Sequence, residues 1–247
     1  VMFFIVSSMF ISCDDSDKEP VITNSVDGIV INGVRWATCN VATPGKFATN
    51  PEDPGMFYQW DDTIGWSSTN INVGPLTINE ILYEDVNYTL GFHKNTFLVD
   101  TAWVDIIPPG SASLWKDTYK ETHISTDTIF GNTVQWATVN NICPDGWRLP
   151  TKEEIQSLIN SGYKWITVNG VYGCAFGSGN DAIFLPAVGY RSNFDGSLLN
   201  SKSGYYWTKD QVGGVNTHLF IQEGGLTLGN KQLKLGDALN IRCVKIE

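Results

Sequence analysis

The sequence predicts an α+β fold: antiparallel β-structure, one main helix at about 151–161 and long ordered loops. Three observations carry this. Asn-Gly and Gly-Asn dipeptides sit between β-rich runs, as in tight hairpins. Thr151-Lys-Glu-Glu154 opens an apolar stretch with the spacing of a capping box. The composition, 42% hydrophobic and 17% charged with 24 Gly in 247 residues, suits a loop-rich β-containing domain rather than a disordered chain.

Residues Val1 to Ser12 carry no charge and are almost wholly apolar. A membrane span needs roughly 20 such residues, so the run reads as the apolar region of a secretory signal. Phe10-Ile-Ser-Cys13 ends it like a bacterial lipobox, which makes Cys13 the expected lipidation site at the end of a 1–13 signal. A plain signal peptide with an incidental Cys is the alternative. Residues 14–26 form an acidic, polar tether with nothing to bury. Acidic residues directly after a lipidated Cys resemble the surface-export signal of Bacteroidetes lipoproteins; an ordinary solvated linker is the other option.

One domain is expected from 27 to 247, with an insertion at about 50–130. Ile29-Val-Ile31 and Val34-Arg-Trp36 flank Asn32-Gly33, a type I′ hairpin. Ile129-Phe130 and Thr133 to Trp136 flank Gly131-Asn132. Trp165 to Val168 and Val171-Tyr172 flank Asn169-Gly170. The insertion is rich in Pro, Gly, Asn, Asp and Trp. A structureless loop of that size is unusual in a compact domain, so it is expected to pack on the core through Trp60, Trp66, Trp103 and Trp115. Pro150 holds Leu149 extended, and Thr151 then caps the helix. Ile155, Leu158 and Ile159 give that helix one apolar face, and Gly162 closes it. Strands follow at Ala182 to Tyr190, an edge strand or bulge because of Pro186, and at Tyr205 to Trp207, Thr217 to Gln222 and Ile241 to Ile246.

Several function classes are disfavoured. A net charge of −10 argues against nucleic acid and anionic membrane surfaces as partners. The three His residues lie far apart with no Cys or carboxylate at ligand spacing, so neither a metal nor another cofactor is expected; Asp61-Asp62 and Asn193 with Asp195 are the only hints of calcium. No serine-hydrolase elbow, P-loop or dinucleotide fingerprint occurs. Setting Cys13 aside, four cysteines remain, Cys39, Cys143, Cys174 and Cys243, and spacing alone leaves three connectivities open. Tyr190, Arg191, Tyr205, Tyr206 and Trp207 are amphipathic residues beside turns, of the types that anchor interfaces or stack on sugar rings. Burial of alternate members in the core is the competing account.

Five motifs, Trp36-Ala-Thr-Cys-Asn-Val41, Cys143-Pro-Asp-Gly-Trp-Arg-Leu-Pro-Thr151, Phe184-Leu-Pro-Ala-Val-Gly-Tyr-Arg191, Gly204-Tyr-Tyr-Trp207 and Ile241-Arg-Cys-Val244, occur in an order that resembles the Fibrobacter succinogenes major paralogous domain (FISUMP) family. That resemblance implies a C-type-lectin-like fold and a surface module without a settled activity. It also implies that Cys143 pairs with Cys243, which would close a loop of about 100 residues and stabilise the domain by roughly 2–5 kcal/mol. Cys39 and Cys174 are left for a second pair, or as two buried thiols. The formylglycine-generating enzymes share the Trp-Arg-Leu-Pro-Thr corner, but their chemistry uses two reactive cysteines near the C-terminus, where this chain has Cys243. The sugar-binding calcium motifs of C-type lectins are absent, and Lys209 in Trp207-Thr-Lys-Asp210 stands where a calcium ligand would. Ligand surfaces of lectin-like domains lie on loops after the middle strands, which points to Arg191, Asn193, Asp195, Lys209, Asp210, Gln222 and Glu223.

The functional expectation is a non-catalytic, adhesin-like outer-membrane lipoprotein, exposed at the cell surface or facing the periplasm, that binds an extracellular glycan or protein. Its membrane contact would run only through the lipid on Cys13. A structural subunit of a surface assembly is the alternative, and an enzyme related to the formylglycine-generating group is the third.

Overall fold

The computed structural model of the chain describes residues 19–63, 65, 66, 68, 133–192, 198–212, 215–229, 233 and 236–246. The expected signal with Cys13, part of the expected tether, most of the expected 50–130 insertion, the Gly131-Asn132 dipeptide, and Asn193 and Asp195 lie outside these residues.

β1 (Ile29–Ile31) and β2 (Val34–Trp36) form the expected hairpin. Asn32 and Gly33 have φ of 48° and 81°, the left-handed pair that a type I′ turn requires. β3 (Phe57–Gln59) and β4 (Gly65–Trp66) come from the start of the insertion. Trp60 and Trp66 are buried there, as the packed-insertion expectation has it; Trp103 and Trp115 are outside the described residues. β5 (Thr133–Gln135) is followed by a 3-10 turn at Thr138–Asn140 and by β6 (Trp147–Arg148).

The helix α1 (Lys152–Asn160) starts where the sequence places it. Thr151 Oγ1 accepts from Glu154 N–H at 3.0 Å, and Thr151 N–H donates to Glu154 Oε2 at 2.7 Å. Ile155 and Leu158 are buried and Ile159 packs beside them. After it come β7 (Tyr163–Val168), β8 (Val171–Ser178) and β9 (Asp181–Pro186). β10 (Tyr190–Arg191) and β11 (Leu198–Leu199) are short. The long pair β12 (Ser203–Val212) and β13 (Val215–Gln222) precedes β14 (Gly225–Leu228), β15 (Ala238–Leu239) and β16 (Val244–Lys245).

These strands make four antiparallel sheets, in the orders β1-β2-β16-β6, β11-β10-β15-β3-β4, β14-β13-β12-β5 and β7-β8-β9. The protein is therefore mainly antiparallel β with one short α-helix among the described residues. Pro186 ends β9, an outer strand of its sheet, so its missing N–H breaks no interior ladder. The last segment is less regular than expected. Asn240 to Cys243 runs beside residues 37–41 through single bonds, Ala37 N–H to Cys243 O and Val41 N–H to Ile241 O, and only Val244 and Lys245 enter a sheet. There Val244 pairs with both Trp36 and Arg148, so the final strand lies between the first hairpin and the corner before the helix.

The β12–β13 ladder is buried on both faces. Tyr205 and Trp207 point into one core with Trp60, Trp136, Trp147 and Ile241. Tyr206, Leu219 and Ile221 point into a second core with Trp36, Ile155, Leu158 and Phe176. Cys143 and Cys243 are joined by a disulfide with Cα atoms 6.1 Å apart. Cys39 and Cys174 do not pair; both are buried free thiols. Their surroundings differ: Cys39 Sγ donates to Asn24 Oδ1 at 3.5 Å, whereas Cys174 sits in the second core opposite Trp165. Arg242 is wholly buried and donates to Asn40 Oδ1, Ala37 O and Phe184 O at 3.1, 3.2 and 2.9 Å.

Candidate functional site

The β7–β8 hairpin sets the geometry of an open concave feature. Its turn, Asn169-Gly170, has φ of 47° and 86°, which fixes a two-residue connection and the register Val168↔Val171. Thr167 then faces Tyr172, and Trp165 faces Cys174. Paired residues share a face, so Trp165, Thr167, Tyr172, Cys174 and Phe176 all lie on one side. Near the base that side is core, with Cys174 and Phe176 fully buried. Toward the tip it outruns the core, and Tyr172 is 51% exposed. Trp165 is half-buried against the second core, and its ring is parallel to that of Tyr172, 9° between planes and 6.4 Å between centroids.

A cleft of about 360 Å³ opens beside this pair, lined by Trp165, Tyr172, Lys202, Ser203, Gln222 and Glu223. The far wall is the end of the β12–β13 ladder, where Ser203 pairs with Gln222. Lys202 belongs to a turn closed by Ser203 N–H donating to Asn200 O at 2.9 Å. Glu223 begins the turn into β14, which Gly224 makes with φ of 85°. The walls thus carry an amide, a hydroxyl, a cation and a carboxylate around an open aromatic face.

The residues expected from the sequence scatter over the fold. Gln222 and Glu223 are exposed and line the cleft. Tyr190 is half-buried, its ring 4.8 Å from that of Tyr205, and burial pushes its hydroxyl pKa up. Tyr206 and Trp207 do not form a surface patch. Both are fully buried; Tyr206 O–H donates to Pro186 O at 2.7 Å and Trp207 Nε1–H to Tyr58 O at 2.8 Å. Arg191 is 1% exposed, so it presents no surface to a ligand. Asp210 is also buried: Oδ1 accepts from Gln135 Nε2 at 3.0 Å and Oδ2 from Lys152 N–H at 3.1 Å, where a carboxylate suits the helix start. Lys209 lines a separate, smaller cavity of about 180 Å³ with Trp136, Thr138 and Arg148. Arg148 there is taken up by Glu154, at 2.8 and 2.7 Å. Burial would raise the Glu154 carboxyl, but the Arg148 and Thr151 hydrogen bonds outweigh it and hold the pKa below its ordinary value.

Asp61, one of the calcium hints, is engaged with the backbone. Its Oδ1 accepts from Ala137 N–H at 2.8 Å and from Asn140 Nδ2 at 3.1 Å. No group of three or more His, Cys, Asp or Glu comes together among the described residues, and no helix there is long and apolar enough to cross a membrane. The thiols have little nucleophilic character, since burial pushes Cys39 up and Cys174 up to about 12. His218 is fully buried, has no hydrogen-bond partner on either ring nitrogen, and is pushed down to about 4 by burial.

Trp165, Tyr172, Lys202 and Ser203 were not among the residues singled out from the sequence. The signal for the first two was present. A two-residue Asn-Gly turn fixes which residues share a face, and counting back from it puts Trp165 and Tyr172 together near the tip. No comparable signal places Lys202 and Ser203 against that hairpin, because their approach is a tertiary contact. In comparison with known proteins, no family model matches the chain, and neither a curated protein nor a solved structure matches it.

Proposed function

We propose that this chain is a non-catalytic binding module that holds an extracellular glycan or protein in the cleft between the β7–β8 hairpin and the end of the β12–β13 ladder. The observation that carries the reading is the open, pre-formed cleft itself: a stacked Trp165–Tyr172 pair beside exposed side chains of both charges. Its volume falls at the lower end of the range of about 300–1,000 Å³ common to small-ligand sites. The state of the thiols supports a non-catalytic role, since Cys243 is committed to a disulfide and Cys39 and Cys174 are held protonated by burial.

The motif order that resembles the FISUMP family supports a C-type-lectin-like fold. The 1–13 signal and its Cys13 support a lipid anchor in an outer membrane, with the domain exposed at the surface. Glycan and peptide arrays probed with the full chain and with Tyr172→Ala test the binding role. Binding that depends on Tyr172 is expected; binding unaffected by the substitution would remove the cleft from the account.

One observation favours a role in a surface assembly. β7 is an outer strand, with no strand beyond it among the described residues. An open strand edge is a template for pairing with another chain, and Lys164 on that strand, ion-paired with Glu19, lies exposed there. Crosslinking through Lys164 that rises with protein concentration would favour the assembly role.

A further inference from the structure

We infer that the cleft takes a non-acidic pyranose of one or two rings, stacked on the outer face of Tyr172, without a metal ion. The inference rests on the binding role proposed above and names its ligand class. Trp165 is held by the core, and its parallel ring backs Tyr172, so the exposed face is fixed before any ligand arrives. Less ordering entropy is then lost on binding. An aromatic face is electron-rich and attracts the slightly positive C–H face of a sugar ring. Around that face stand Gln222, Ser203, Lys202 and Glu223, which both donate to and accept from hydroxyl groups. A peptide side chain usually needs a deep apolar socket, and Lys202 and Glu223 on turns with Ser203 and Gln222 at strand ends make the far wall polar.

Charge narrows the class. Lys202 and Glu223 both line the cleft with opposite charges, and the whole chain carries −10, so an acidic sugar meets no net attraction. Glu223 is the only carboxylate lining the cleft among the described residues, while a calcium site needs six to eight oxygen ligands. Binding in the presence of a chelator follows.

The test is saturation-transfer NMR on the purified full chain in EDTA. The probes are methyl α-mannopyranoside, methyl β-galactopyranoside, methyl N-acetyl-β-glucosaminide, glucuronic acid, glucosamine and tri-alanine. At least one neutral glycoside should take up saturation from aromatic protons. Its affinity should fall about tenfold in Tyr172→Ala, fall less in Gln222→Ala, and survive Tyr172→Phe. Glucuronic acid should bind more weakly than the best neutral glycoside and than glucosamine. Transfer to tri-alanine alone, lost in Tyr172→Ala, would overturn the sugar class and leave the binding cleft standing. Glycoside binding that ignores Tyr172→Ala would overturn both, as would transfer to none of the probes. Binding that appears only when calcium is restored would overturn the metal-free claim.

Discussion

Two aromatic pairs sit beside turns in this molecule and meet opposite fates. Tyr206-Trp207 lies within β12, an inner strand with β13 on one side and β5 on the other, and with a hydrophobic core against each face. Trp165 and Tyr172 lie on the β7–β8 hairpin, where β7 is an outer strand and only the base of the shared face is covered. Residue type and nearness to a turn are alike in the two cases. What differs is the neighbourhood assembled around each strand. An aromatic residue stays open to solvent where its sheet runs past the core, and becomes a packing residue where the core continues.

The comparison can be broken at several points. The largest effect is expected at the tie behind the inner pair. Cys243→Ser opens a ring with a sequence separation of 100 residues and should cost about 4–5 kcal/mol in denaturant unfolding. Trp207→Ala should cost about 3–5 kcal/mol by the same measurement, because it empties a fully buried site and removes the Nε1–H bond to Tyr58 O. A Trp207→Ala protein as stable as the parent would mean that the inner pair is not core at all.

Acid gives the next effect. His218 is packed between the rings of Tyr205 and Trp207 and is neutral in the folded state, with a pKa pushed down to about 4. The unfolded chain protonates it near 6.5, so between about pH 6.5 and 4 the unfolded state binds the extra proton. Stability contributed by the neutral ring is present above about pH 6.5 and is lost as pH falls, by up to roughly 1.4 kcal/mol per unit. A His218→Phe protein should show a flatter acid slope in pH-dependent melts. An unchanged slope would place the acid sensitivity elsewhere.

Smaller effects sharpen the contrast. Thr151→Ala removes the cap of α1 and should cost about 1 kcal/mol. Tyr172→Ala should change stability by less than about 0.5 kcal/mol, since half of the ring is already in solvent. A loss as large as that for Trp207 would show that Tyr172 serves the fold rather than a ligand.

The sequence made local elements legible and left their companionship open. The Asn-Gly turns, the Thr151–Glu154 capping box and the apolar face of α1 are decided by near neighbours, and they appear where expected. The Cys143–Cys243 bridge came from a motif order, because spacing alone could not choose it. The irregular run from Asn240 to Cys243 escaped detection, since it follows from where Arg242 finds its three acceptors. The candidate site was legible only in part for the same reason. Gln222 and Glu223 fall at a strand end that any pattern would mark, whereas Tyr206 looks no different in sequence from an exposed tyrosine until two cores close over its strand.

The sulfur link has a consequence for proteolytic wear. Everything from residue 143 to residue 243, with α1 and the Tyr172 hairpin inside it, is a covalent circle. A protease that cuts once within that span releases no fragment, and the nicked molecule runs as a single species until thiol is added. The described residues ahead of 143 have no such insurance. The amino-terminal part meets the circle through bonds such as Val21 N–H to Gly179 O and Ala37 N–H to Cys243 O, so force arriving from that side meets hydrogen bonds first and sulfur last.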